Sequence, residues 1–300
     1  MKIFYSDPFT FPLPDGHKFP LSKYALLRQR VMECGLAARH TLSLSCAATD
    51  AEVCTVHTAA YWQAFQLGQL QEALMRRIGL PWSPQLVQRT RHSVGGTIEA
   101  CRAALRDGCA VNMAGGTHHA FRDHGAGYCV LNDSAVALGT LRAEGLCQRA
   151  LIIDCDVHQG DGTAAIFAND PDVFTFSIHA ANNFPFRKQV SRLDIALTDG
   201  TDDFAYLKAL AEGLRCVIDL SRPELAIYLA GADPYHDDRL GRLALSKAGL
   251  RERDALVLNA LRQAGIPVAI TLAGGYARHV EDTVEIHLQT IMVAEAIHPS

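Results

Sequence analysis

Residues 154–161 read DCDVHQGD, and Asp154, Asp156 and His158 alternate there with Cys155 and Val157. In extended backbone such alternation sends the two carboxylates and the imidazole to one face and the intervening side chains to the other. Asp156 and His158, completed by one further carboxylate, would make a three-ligand metal site with a position left for water, as catalytic zinc requires. Asp233, in LAGADPYHDD, is the natural third ligand, because it follows an apolar run and a Gly-Ala turn that lets backbone approach closely. One imidazole and two carboxylates suit a hard-to-borderline divalent ion, zinc ahead of iron(II) or manganese(II). Taken alone, the same spacing also fits a capped turn with solvated charges.

A second stretch, GGTHHAFRDHGAGY at 115–128, holds His118 and His119 side by side. Adjacent side chains leave the backbone in different directions and lack the i, i+4 helical spacing of a zinc-binding HExxH, so shared metal ligation is a poor role for them. Acid/base chemistry suits them better, since an imidazole titrates near neutrality and is oriented by a carboxylate on its other nitrogen. Asp154 and Asp161 are left over from the metal count and stand as those partners. His124 reads as a solvated bystander. Tyr276 follows Gly274 and Gly275, and a phenol on such a turn can donate to a developing oxyanion. Each of these fragments also has an ordinary reading, as a turn histidine or a rim tyrosine.

What must hold these residues together is legible in the apolar pattern. Short runs recur at 2–5, 110–113, 150–154, 173–178, 225–230 and 267–273, with helix-like segments between most of them, at 95–108, 134–145 and 251–265. Opening helices are expected at about 21–33 and 57–78. The alternation predicts a single α/β domain over residues 1–300, with a largely parallel central β-sheet flanked by helices. Parallel sheets carry their sites at the carboxyl ends of the strands. Five strand ends in succession run into AGGTHHAF, DCDVHQGDGT, SIHAANNF, GADPYHDD and GGYARH, whereas loops at the opposite edge, such as ALRDGCA and EGLCQRA, offer nothing comparable.

Composition narrows the partners. Of 300 residues, 49% are hydrophobic and 20% charged, enough to bury a sizeable core. A net charge of −4 and the lack of any run of five Lys/Arg argue against direct nucleic-acid binding. Nine scattered cysteines, never spaced as Cys-x-x-Cys, read as reduced thiols; no 18-residue apolar run or signal peptide is seen. A cytoplasmic protein with no membrane partner is expected, its oligomeric state left open.

Taken together, GGTHHAF, GAGYCVLND, DCDVHQGDGT, SIH, GADPYHDDRLGRL and LAGGY resemble the zinc-dependent histone deacetylase family, which also includes acetylpolyamine amidohydrolases and acetoin-utilisation proteins. The motifs occur in the family's order, and the likeness runs from about residue 15 to the last helix, closest to compact bacterial and smallest-class (class IV-like) members. The resemblance implies an arginase/deacetylase-like fold, Zn²⁺ (or Fe²⁺) on Asp156, His158 and Asp233, and a catalytic pair His118 and His119 partnered by Asp154 and Asp161, with Tyr276 on the oxyanion. It further implies that Gly127 accepts the substrate amide N–H, that Tyr128 and Phe184 wall a tunnel, and that a structural K⁺ sits on Asp154, Asp156, His158, Ser177 and the Ile178 carbonyl. Two departures stand out: Ala273 where nuclear members usually have glycine, and Gln159 where many relatives have a second histidine.

The implied reaction is hydrolysis of an acyl group, acetyl in the simplest case, from an acylated lysine side chain of a protein or from a small acylated amine. The metal would polarise the carbonyl and acidify a water, whose pKa falls from about 15.7 toward about 7 in well-studied zinc enzymes. Within the same chemistry, acetylpolyamines or long-chain acyl-lysines are alternative substrates. An arginase-like ureohydrolase with two Mn²⁺ ions and a non-catalytic acyl-binding module are the rival classes.

Overall fold

A computed structural model describes residues 1–299 of the chain. Eight strands form one sheet: β1 (Lys2–Tyr5), β2 (Thr41–Leu44), β3 (Cys109–Asn112), β4 (Ala150–Asp154), β5 (Val173–Ala180), β6 (Leu193–Leu197), β7 (Leu225–Leu229) and β8 (Val268–Thr271). Their spatial order is β2-β1-β3-β8-β7-β4-β5-β6, and every pairing among them is parallel. The sequence reading of a largely parallel sheet thus becomes a wholly parallel one among the described residues.

The central strands are buried on both faces, which is why they read as continuous apolar runs. Ala110, Ile152, Ile227 and Ala269 face one core, and Val111, Ile153, Tyr228 and Ile270, one residue further along each strand, face the other. The first core is covered by α3 (Asp50–Val53), α4 (Ala59–Gln66), the long α6 (Pro84–Asp107) and α7 (Asp133–Ala143). The second is covered by α1 (Ser22–Glu33), α9 (Asp203–Ser221), α10 (Lys247–Gln263) and α11 (Val280–Ile297), with short α2 (Leu36–Arg39) beside α1. The remaining helices, α5 (Glu72–Ile78) and α8 (Asp161–Ile166), border the site loops. Each fully buried Val, Leu or Ile contributes on the order of 1.5–3 kcal/mol, so these layers fix the strand ends firmly.

Several elements differ from their sequence expectations. β2 and β6 lie at the two edges of the sheet, are only partly buried, and lack the apolar run by which the inner strands announce themselves. The helix expected over 57–78 is two helices separated by residues 67–71, and α6 begins at Pro84 rather than 95. Ser83 caps α6 by accepting from the Leu86 amide, with Pro84 in the first turn, where a missing N–H costs nothing. α9, a 19-residue amphipathic helix capped by Asp202, was not anticipated. No helix among the described residues is long and apolar enough to cross a membrane.

Candidate active site

The five chemistry-bearing strands are neighbours, in the order β3-β8-β7-β4-β5. Their carboxyl ends open on one cavity of about 440 Å³ whose lining includes His118, His119, Asp156, His158, Asp233 and Tyr276. Sequence-distant motifs therefore meet because parallel pairing puts all their loops on the same edge.

β4 ends at Asp154, so the DCDVHQGD motif is not itself strand. The loop nevertheless keeps the alternation: Cys155 and Val157 sink into the core, while Asp156 and His158 line the cavity. Local bonds hold this shape. Asp154 Oδ1 accepts from the Asp156 amide at 3.1 Å, Asp156 Oδ1 from the His158 amide at 2.9 Å, and Asp233 Oδ1 from the Val157 amide at 2.9 Å.

Asp156, His158 and Asp233 are buried and each offers a ligand atom, all within 4.8 Å of one another. His158 Nδ1 lies 2.9 Å from Asp156 Oδ1 and 3.3 Å from Asp233 Oδ2, and the latter oxygen, fully buried, has no hydrogen-bond partner among the described residues. Burial and the neighbouring Asp156 carboxylate push the Asp233 carboxyl up to about 7. Two buried carboxylates facing one another are costly unless a cation sits between them. The donor set and the orphaned oxygen fit a divalent metal.

Gly274 explains one glycine of the GGY turn. Its amide donates to Asp156 Oδ2 at 2.9 Å, and a Cβ there would stand 2.0 Å from Asp233 Oδ2 and 2.5 Å from Asp156 Oδ2. Ala273, just before it, adopts φ 49°, the left-handed region that favours glycine. The departure noted in the sequence therefore carries a strain on the order of 1 kcal/mol.

The tandem histidines are each tied to a separate carboxylate. His118 Nδ1 lies 2.6 Å from Asp154 Oδ2 and His119 Nδ1 lies 2.7 Å from Asp161 Oδ1, leaving both Nε2 atoms for other partners. The rings sit 4.1 Å apart, and His119 is 5.8 Å from the His158 ring. Their electrostatics diverge. Burial opposes charging of His118, but Asp154 and Asp156 outweigh it and raise the imidazole to about 9. Burial and the adjacent charge of His118 hold His119 down at about 4, so His119 is the neutral, proton-accepting member. Tyr276 is buried, and burial, then the Asp233 and Asp156 carboxylates, hold its phenol far above the ordinary range, so it remains a donor.

Gly127, Tyr128 and Phe184 also line the cavity. The Phe184 ring stands edge-on to His119 at 4.8 Å, and Tyr128 lies 5.9 Å from Tyr276. Gly127 has φ 53°, and a Cβ there would come within 2.6 Å of the His119 ring. Tyr128 itself has φ 66°, an uncommon conformation for an aromatic residue, and its amide donates to the Ile78 carbonyl at 2.7 Å. Of the residues the resemblance links to potassium, Ser177 sits directly across from Asp154 in the β4–β5 register, its hydroxyl 3.0 Å from His179 Nδ1. His124 does not line the cavity; it stacks on Phe121 at 4.4 Å and bonds Asp123, so it is less solvated than its sequence suggested.

Four supporting residues escaped the sequence reading. Asp133, buried beside the Asn132 cap of α7, accepts from the amides of Gly116 and Thr117 and from the Thr97 and Thr117 hydroxyls, and so fixes the histidine loop. Asp238 accepts from the Tyr276 amide at 2.6 Å, and Arg239 Nε donates to the Tyr276 carbonyl at 3.0 Å. Both lie inside the quoted GADPYHDDRLGRL, where a cluster of charges after a metal-ligand loop was the available signal.

The fourth is Arg253, wholly buried on α10. It pairs with Asp254 at 2.8 Å and donates to the carbonyls of Cys155 and Gly231, one from each ligand-bearing loop. Nothing in its amphipathic helix pattern announces this role. Arg253→Met should destabilise the fold by about 3–5 kcal/mol, since Asp254 is left as an uncompensated buried charge. Urea unfolding checks this, and a loss below about 1 kcal/mol would show that the pair does not brace the loops.

Residues 17–291 match the histone deacetylase domain family. An uncharacterised protein of Picosynechococcus sp. is 46% identical over 285 residues, which is 95% of each chain. The histone deacetylase-like amidohydrolase of Pseudomonas aeruginosa is 28% identical, over 89% of this chain and 74% of that one. A crystal structure of an HDAC homologue complexed with SAHA superposes with a TM-score of 0.84 at 25% identity, covering 98% of this chain and 83% of the other.

Proposed function

The chain belongs to the histone deacetylase family, and on that premise we propose that it hydrolyses an acyl group, acetyl in the simplest case, from an amine nitrogen at the end of a flexible chain. Acyl-lysine side chains and small acylated amines are the substrate classes. The observation that carries this reading is the meeting, in one cavity, of three buried ligand atoms, two separately partnered histidines and a buried phenol. We read residues 1–300 as one catalytic domain, acting in the cytoplasm, where nine free cysteines would stay reduced.

Asp156, His158 and Asp233 would hold the metal, zinc first, which supplies Lewis acidity to the acyl carbonyl and to a water. His119, kept neutral by burial, takes the proton of the attacking water through Nε2, while Asp161 on Nδ1 fixes its tautomer and orientation. Tyr276 donates to the oxyanion that develops on the acyl oxygen. The proton gained by His119 then goes to the departing amine, and His118, paired with Asp154, sets the local charge. Tyr128 and Phe184 flank the substrate's stem, and the Gly127 carbonyl accepts its amide N–H. A structural potassium ion on Asp154, Asp156, His158, Ser177 and the Ile178 carbonyl would stiffen the carboxylates that orient both the metal and the dyad.

Metal analysis of the active, purified protein is expected to give one transition-metal ion per chain, and exhaustive chelation to abolish acetyl-lysine hydrolysis until zinc or iron(II) is restored. Two manganese ions per chain with urea as product would replace this reading with arginase-like chemistry.

A further inference from the structure

We propose that the inner end of the cavity is an anion pocket, built on Lys23 and Arg89, and that the chain acts preferentially on short acyl groups ending in a carboxylate, such as succinyl or glutaryl. The inference rests on the hydrolase reading above and adds the acyl class to it.

The cavity has an outer and an inner end, read from burial. Phe186 on its lining is 87% exposed, whereas Leu86, Val94, Lys23 and Arg89 are 2%, 1%, 3% and 5% exposed. The two cations therefore lie at the closed end, in the same buried part of the cavity as the reacting groups. Lys23 Nζ donates to the Ala273 carbonyl at 3.2 Å and stands 5.6 Å from the Tyr276 ring centre. Arg89 Nη1 donates to the Ser6 carbonyl at 2.6 Å, with its guanidinium carbon 4.1 Å over the Tyr24 ring, and Lys23 Nζ is 5.2 Å from that same ring.

Among the described residues no carboxylate comes within ion-pair reach of either cation. Tyr24 favours the charge on Arg89, and the carboxylate felt there after it, Asp7, has its own ion pair with Arg28 at 2.8 Å. Burial works against the charge on Arg89. Two buried cations over the same Tyr24 ring, neither with a carboxylate partner, are expensive to keep. A hydrocarbon acyl tail would desolvate them further, while a terminal carboxylate would pair with both. The apolar walls, Leu86, Val94 and Leu131 among them, suit the intervening methylenes.

The chemistry needs no further reactant. The amide C–N bond breaks, water's oxygen joins the acyl carbon, one of its protons goes to the amine nitrogen, and the other leaves as the new acid ionises, giving a dicarboxylate and a free amine.

The test compares glutaryl-lysine and pentanoyl-lysine peptides, alike in chain length and differing in the terminal charge, with acetyl-lysine as reference. With zinc-loaded protein, kcat/KM is expected to favour glutaryl by at least about tenfold, the scale of one charge-assisted hydrogen bond, and Lys23→Met to lower the glutaryl/pentanoyl ratio by a similar factor. A wild-type ratio at or below one overturns the proposal, whatever the variant does. If free glutarate or acetate inhibits while pentanoyl is the better substrate, the cations serve the released acid and the acyl class proposed here is wrong. Calorimetric binding of the two peptides runs alongside. Should no acyl peptide be turned over, acetyl-lysine included, the hydrolase reading fails, while the relative affinity for glutaryl still decides the anion pocket.

Discussion

His119→Ala is expected to lower kcat for acetyl-lysine hydrolysis by about 10²–10⁴-fold, the range associated with a positioned general base. The effect should fall on kcat with little change in KM, because the imidazole acts on the attacking water and not on the substrate's stem. Metal content should be unaffected, since His119 Nδ1 belongs to Asp161 and its ring centre is 5.8 Å from that of His158. Steady-state kinetics with metal analysis of the same preparation separate the two. A variant that retains more than about a tenth of wild-type kcat would remove His119 from the base role.

Tyr276→Phe is the second large effect, a fall of about 10²–10³-fold in kcat, the scale of one lost oxyanion donor. Phenylalanine keeps the ring against Tyr128 and Lys23, so the loop held by Asp238 and Arg239 should stay in place and the variant should unfold at the same urea concentration as wild type. Near-normal turnover would show that the phenol only lines the cavity. A matching loss of stability would trace the defect to the loop.

The inner strands and the chemistry at their ends were legible because both obey simple rules. A strand buried on two faces must be apolar throughout, so β4, β7 and β8 stood out, and a parallel sheet must bring their carboxyl ends together. Asp156, His158 and Asp233 could be grouped from that rule together with the Asp-x-Asp-x-His alternation and the family resemblance. The edge strands β2 and β6 carry no such requirement and stayed hidden.

What the sequence withheld was support at a distance. Asp133, Asp238 and Arg253 act by bonding to backbone amides and carbonyls of other loops, and a backbone partner leaves no trace in residue type or spacing. Lys23 and Arg89 look like ordinary surface charges on helices; only tertiary packing buries them beside the site. The left-handed backbone of Ala273 and Tyr128 is likewise a property of the fold, although the Ala-for-Gly departure at 273 hinted at it.

The most direct test of the account is acetate release from an acetyl-lysine peptide, followed by proton NMR with the purified protein carrying one equivalent of zinc. Acetate and free lysine amine are expected in equal amounts, formed catalytically in protein and lost on chelation. Tight binding of the peptide with no acetate released by the zinc-loaded protein would contradict it and leave an acyl-binding module in its place.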